Sequence, residues 1–286
     1  MIDRLWQVYR RRVSYVAQYE SLVSGAGASF INDHIAFRTL AWQHPQTGIA
    51  SISRLFESLA FQPVETYQFP AKHLSAIHLA HPHPGLPRLF VSELKSWELS
   101  EASREVIGRS LEQHREPPDV EFLAGLATGA TPEPLERLSA HFLERPWPAP
   151  ERSDVETLNS ESQYAAWVLV HGYAVNHFTS LINAHDVESL DSIEKTVAAL
   201  RDNGVPMKSD IEGAPGSKLR QSATEAVVVD VEVSEQGTAT TMPWTYAYFE
   251  LAQRGTVPDP ATGQAVPFEG FLGPQATHLF EMTRKS

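Results

Sequence analysis

The sequence predicts an α+β fold of two βαβββ modules that can close into a β cup, with helices added. Three observations predict it. The segments 30–95 and 170–255 run through the same order of strand and helix signals. The stretch 96–150 between them changes to polar, helical patterning bounded by prolines. Ionisable residues, uncommon on strands that face a core, also sit at matched places in the two modules. With 286 residues, 42% hydrophobic and 20% charged, the chain can bury such a core. At roughly 150 residues per unit the length suits two modules, read here as a single catalytic domain over 1–286.

The first 24 residues place Leu5, Val8, Tyr9, Val13, Val16, Ala17 and Leu22 at near-helical spacing, which predicts an amphipathic packing helix. Asp33-His-Ile-Ala-Phe-Arg-Thr-Leu40 is short and β-rich, hence a strand. Ile49 to Phe61 reads as a helix with Ile52, Leu55, Phe56 and Leu59 on one face. Three strands follow at Val64–Phe69, Leu74–Ala80 and Arg88–Leu94. In the bridge, Leu99–Arg115 and Pro132–Leu143 read as helices, the second with Thr131 as its cap and Pro132 in its first turn. Pro146-Trp-Pro-Ala-Pro150 is a stiff connector. The second module repeats the order: strand Ala174–Ile182, helix Val187–Asn203 stopped at Asn203-Gly204, and a weak strand at Val205–Ile211. The strands Thr224–Val233 and Thr245–Gln253 complete it, and 256–286 forms a C-terminal segment.

Charge and composition exclude several classes. Acidic residues outnumber basic ones 35 to 23, a formal charge of −12, which argues against nucleic acid and anionic membranes as partners. There is no cysteine, so thiolate nucleophiles, zinc fingers and iron–sulfur clusters are excluded, and any metal site uses His, Asp and Glu. No run of about 18 apolar residues exists, and Met1-Ile-Asp-Arg-Leu-Trp-Gln-Val has no apolar signal core. A soluble, cytoplasmic protein is expected, with the oligomeric state left open.

His34 lies on the first strand of module one, His177 on the first strand of module two, and Glu250 on the last. Period-two alternation groups His34 with Ala36 and Arg38, and His177 with Val175 and Thr179. Glu250 groups with Tyr246, Tyr248 and Ala252. Taken singly, each histidine is also what a hydrogen-bonded core residue looks like, and no short motif binds the three together. If the modules close, the three faces converge, and two His with one carboxylate make the facial set of non-heme Fe(II) oxygenases. That set leaves positions for a chelating 2-oxo acid and dioxygen, while Arg38 could clamp a second carboxylate.

Asp33-His-Ile-Ala-Phe-Arg-Thr-Leu40, Val175-Asn-His-Phe-Thr-Ser-Leu-Ile182 and Tyr246-Ala-Tyr-Phe-Glu-Leu-Ala-Gln-Arg254 resemble the DUF1338 family. Gly216-Ser-Lys-Leu-Arg-Gln-Ser-Ala-Thr224 and Phe268-Glu-Gly-Phe-Leu-Gly-Pro-Gln-Ala276 add to the likeness, which covers most of 30–280. The resemblance implies a vicinal-oxygen-chelate-like fold and a 2-oxoadipate dioxygenase/decarboxylase. With Fe(II) and dioxygen, it would convert 2-oxoadipate to 2-hydroxyglutarate and carbon dioxide. It also implies metal ligation by His34, His177 and Glu250. It implies substrate contacts at Arg38, His34 and His177, with one more around Gly273-Pro274-Gln275. The chain resembles a compact form of the family, so its pocket walls are expected to differ.

Two other readings share the fold: a redox-inert divalent-metal isomerase or lyase, and a non-catalytic small-molecule binder. Gln221 and Ser222 are further candidates for the pocket, and His171 for a supporting place beside it. His73, His78, His81 and His83 cluster but do not read as a second metal site; His81 and His83 flank a proline in a turn, where a solvent-exposed histidine is the commoner outcome. Glu93 holds the place in module one that Glu250 holds in module two, and reads as structural.

Overall fold

The computed structural model describes residues 1–129 and 131–272. The N-terminal periodicity resolves into two helices, α1 (Ile2–Arg12) and α2 (Tyr15–Gly25), because Val13 takes an extended backbone at φ −98° and ψ 90°. Val13 and Val16 are both buried across the break, so the apolar spacing runs through it without a mark. The first module follows the predicted order: β1 (Asn32–Ala41), α3 (Ile49–Glu57), β2 (Gln62–Phe69), β3 (Leu74–Ala80) and β4 (Arg88–Lys95).

Between β4 and the second module there is more helix than the sequence suggests: α4 (Glu101–Leu111), α5 (Val120–Thr128) and α6 (Pro132–Leu143) within the bridge, then α7 (Arg152–Glu161) and α8 (Gln163–His171) beyond it. Pro132 opens α6 as expected, whereas Thr131 makes no side-chain cap bond. Every residue of α8 from Tyr164 to His171 is buried, so the helix has no polar face to set a period. The second module comprises β5 (Val175–Leu181), α9 (Ile193–Asp202), β6 (Leu219–Ala223), β7 (Val228–Glu235), β8 (Thr238–Thr245) and β9 (Glu250–Arg254). A small hairpin, β10 (Thr256–Pro258) and β11 (Ala265–Pro267), follows.

One seven-stranded sheet runs β2-β3-β4-β1-β5-β9-β6 and unites the modules. Within each module the first and last strands are parallel, β1 to β4 and β5 to β9; the modules join through antiparallel β1–β5. The predicted strand at Thr224–Val233 is corrected by this topology. Val228–Glu235 pairs with β8 in a separate hairpin, and the cup strand is Leu219–Ala223. Its β-branched composition marks a strand and cannot say which sheet takes it. The weak strand at Val205–Ile211 is reduced to two bridges, Met207 to Thr224 and Glu212 to Gln221.

Both faces of the central strands are covered. On the outer face Phe37 packs against Phe56 and Phe142 at 5.2 and 5.1 Å, and Phe178 against Trp6 and Tyr9 at 4.9 and 5.0 Å. Alternation then turns His34, Ala36, Arg38 and His177 to the inner face. No helix among the described residues is long and apolar enough to cross a membrane.

Burial pushes His141 on α6 and His171 at the end of α8 down to about 3, so both fold in the neutral form. The unfolded chain protonates them near 6.5. Their stabilisation is therefore complete above about 6.5 and is lost as pH falls from there toward 3. Urea unfolding of the metal-free protein should give a lower midpoint at pH 5 than at pH 7.5; equal midpoints would refute this.

Candidate metal centre

The inner faces of β1, β5, β6 and β9 meet at a buried cavity. It is lined by His34, Ala36, Arg38, Asn176, His177, Gln221 and Glu250, with Tyr248, Phe69, Phe90, Phe271 and Leu272 as its walls. His34, His177 and Glu250 are all buried, and one ligand atom from each lies within 4.8 Å of the others. His34 Nε2 is 3.3 Å from Glu250 Oε1, and His177 Nε2 is 3.6 Å from Glu250 Oε2.

A repeated irregularity aims the two histidines. On β1 the pairing steps from Asn32–Ser180 to His34–Thr179, which leaves Asp33 as an extra residue. On β5 it steps from Ala36–His177 to Phe37–Val175, which leaves Asn176 extra. These bulges let each extra residue reach its neighbour's ring. Asp33 Oδ2 is 2.8 Å from His34 Nδ1, and Asn176 Oδ1 is 3.1 Å from His177 Nδ1. Nδ1 is thereby held as the donor and Nε2 is left for the cavity. The same offset along the chain relates Asp33-His34 to Asn176-His177, so the site carries the symmetry of the repeat.

That register corrects the reading of Glu93. Thr179 pairs with Glu250, and its counterpart Ala36 pairs with Phe90, so Phe90 holds the matching position. Glu93 lies outside the cavity, where its Oε2 accepts from Ile49 N at 2.7 Å at the start of α3. Gly48 permits this with φ +87°, since a Cβ there would meet that oxygen at 2.6 Å.

Glu250 Oε1 accepts from Gln221 Nε2 at 2.6 Å and from Thr179 Oγ1 at 3.2 Å, whereas Oε2 is buried with no hydrogen-bond partner. Burial works to raise the Glu250 pKa, and the two histidines and Gln221 outweigh it, holding the carboxyl below its ordinary value. Burial pushes His177 down to about 3 against the attraction of Glu250. For His34, burial lowers the pKa, but bonds to Asp33 and Glu250 prevail and raise it. A neutral imidazole, a carboxylate with an unfilled lone pair and a second oriented imidazole together suit a first-row divalent metal. The residues present fit one.

Arg38 lies in the same cavity, 2% exposed, with its guanidinium 5.0 Å from the Tyr164 ring and 5.2 Å from the Trp167 ring, both on α8. Burial lowers its pKa below the ordinary value of an arginine. Tyr248 stacks on His177 at 4.8 Å and 29°, and Phe271 stands edge-on to His34 at 4.8 Å and 88°.

The remaining sequence candidates divide. Gln221 is in the cavity; Ser222 turns away to bond Asp210 O at 3.3 Å. His171 is on a helix instead of an early strand, and its Nε2 bonds Thr245 O at 2.8 Å, outside the cavity. His73 pairs with Glu98 at 2.7 Å, and His81 Nδ1 accepts from His83 N at 2.9 Å within its own turn. His78 is buried, bonded to Tyr67 Oη at 2.8 Å. Gly273, Pro274 and Gln275 lie outside the described residues. Sequence reasoning missed Asp33, Asn176 and Phe271, and it placed Thr179 and Tyr248 on the ligands' faces without giving them a role. A signal did exist for the first two: each histidine follows directly on a short polar side chain.

Residues 2–266 match the family model of the 2-oxoadipate dioxygenase/decarboxylases. The chain belongs to this family. It is 32% identical over 270 residues to the chloroplastic 2-oxoadipate dioxygenase/decarboxylase of Arabidopsis thaliana, covering 88% of this chain and 67% of that protein. The crystal structure of the Oryza sativa hydroxyglutarate synthase in complex with 2-oxoadipate matches at a TM-score of 0.80 and 29% identity. That match covers 99% of this chain and 90% of the rice one. A Ralstonia eutropha protein assigned to the glyoxalase superfamily also gives 0.80, at 24% identity over 94% of this chain and 83% of its own, a likeness of fold. Membership in the 2-oxoadipate dioxygenase/decarboxylase family thus accompanies a cup of the glyoxalase kind, with the buried His34–His177–Glu250 group inside it.

Proposed function

We propose that this protein converts 2-oxoadipate and dioxygen to 2-hydroxyglutarate and carbon dioxide, with Fe(II) held by His34, His177 and Glu250. The observation that carries the reading is that the three-residue group and the buried Arg38 share one cavity, in a chain of this family. The equation balances atom for atom, so no second organic substrate is needed. When bound, Fe(II) supplies the redox chemistry that dioxygen and a 2-oxo acid cannot perform alone.

The chain's own residues bind, orient and exclude water. Arg38 takes the distal carboxylate of 2-oxoadipate in a paired hydrogen bond, and the flanking Tyr164 and Trp167 rings fix its side chain. Asp33 and Asn176 fix the two imidazoles, while Gln221 and Thr179 fix the carboxylate of Glu250. Phe69, Phe90, Tyr248 and Phe271 make walls that strengthen each charged contact by excluding water.

Oxygen uptake by the Fe(II)-loaded protein given 2-oxoadipate tests this, with carbon dioxide and 2-hydroxyglutarate quantified on the same samples. One of each product per dioxygen is expected. Folded, iron-bound protein that consumes no oxygen would reject 2-oxoadipate as the substrate.

A further inference from the structure

One guanidinium stands where the metal group meets the pocket wall. Arg254 lies on β9, four residues past Glu250 and on the same side of the strand. Its Nε and Nη2 donate to Asp33 Oδ1 and Oδ2 at 2.6 and 2.8 Å, and Asp33 Oδ2 is the atom that holds His34 Nδ1. Its Nη1 donates to the carbonyls of Phe268 and Gly270, both at 2.8 Å. The strand backbone at Arg254 is itself fixed by a reciprocal pair of bonds to Asn183, at 2.8 and 2.9 Å.

The segment 268–272 bonded in this way is a strap across the cavity. Phe271 presents its ring edge to His34, and its N–H donates to Tyr67 Oη at 3.2 Å. Leu272 lines the cavity beside it. Arg88 repeats the tie: its Nη1 is 3.4 Å from Asp33 Oδ1, and its Nη2 pairs with Glu269 of the strap. With the strap seated, the cavity measures about 40 Å³, room for a few waters at about 10–15 Å³ each on that measure. A six-carbon diacid that enters on the strap's side has to displace it.

We propose that Arg254 is a positioning residue with two outputs. Through Asp33 it sets the His34 ring for the metal, and through two carbonyls it seats the strap that closes the pocket. Asp33 cannot keep both oxygens on Arg254 if the guanidinium follows the strap outward, so strap opening loosens the hold on His34. By reciprocity, a metal on His34 favours the seated strap. The inference rests on the metal and substrate reading above, and its test is independent of turnover.

Co(II) is the probe, titrated into metal-free protein and followed by its visible absorption, with hydrogen exchange at 268–272 read on the same samples. In the parent protein, Co(II) should slow exchange in the strap. Arg254→Lys keeps the charge but cannot make the paired bond. It should bind Co(II) roughly 10- to 100-fold more weakly and lose the metal-dependent slowing. Asp33→Asn should weaken Co(II) binding by a similar factor.

Parent-like Co(II) affinity and spectrum in Arg254→Lys would overturn the proposal. So would strap exchange in the parent that is the same with and without Co(II), a comparison that decides the matter if the variant fails to fold. A parent that binds Co(II) and slows its strap but leaves 2-oxoadipate unused supports the coupling and rejects the substrate. A parent that binds no Co(II) overturns both.

Discussion

Glu250→Ala is expected to abolish metal retention and turnover together. The carboxylate sits fully buried between two imidazoles whose Nε2 atoms are 3.3 and 3.6 Å from its oxygens, and it supplies the only negative charge of that group. Losing a partner that merely orients a ligand costs roughly 10- to 100-fold in metal affinity or activity, and loss of the anionic ligand itself should exceed that. Metal at 100 times its Kd stabilises the folded state by about 2.7 kcal/mol. The parent should therefore show a rise in Tm on adding Fe(II) or Co(II), and the variant none. Glu250→Gln, which keeps the volume and removes the charge, should behave alike, so a packing defect is not the cause. Stoichiometric metal in either variant would reject the group.

Arg38→Ala should act on the substrate and leave the metal in place. Removing one member of a buried, hydrogen-bonded charge pair costs about 2–5 kcal/mol, which converts to a loss of roughly 30- to 4,000-fold in kcat/KM for 2-oxoadipate. 2-Oxohexanoate, of the same length without the distal carboxylate, should change by less than about tenfold because it never made the contact. Equal losses on both acids would remove Arg38 from that role. Arg38→Lys should recover only part of the loss, since an ammonium cannot present the planar fork.

The first module was legible almost strand by strand. Burial alternates along much of β3 and β4, whereas β1 is buried on both faces. Grouping His34, Ala36 and Arg38 needed only period two, and the cavity holds all three. Legibility failed wherever a residue's surroundings come from distant chain. α8 is buried on all sides and shows no amphipathic stripe. β7 has the composition of a cup strand but pairs locally with β8. Glu93 and Glu250 look equivalent by element order, and the pairing registers separate them by giving the matching place to Phe90.

What the sequence determined by itself is the repeat, the residue types available to a metal and the face of β1 that turns inward. Alternation and composition are local properties, so they can be read without the fold. Only the tertiary structure decided that β1 and β5 join antiparallel, which brings the two histidines together. It also decided that bulges turn Asp33 and Asn176 onto their neighbours' rings, and that Arg254, 221 residues from Asp33, ties it and through it His34 to the strap. Those relations are contacts between segments remote in the chain, fixed by strand register and core packing, and no local pattern encodes them.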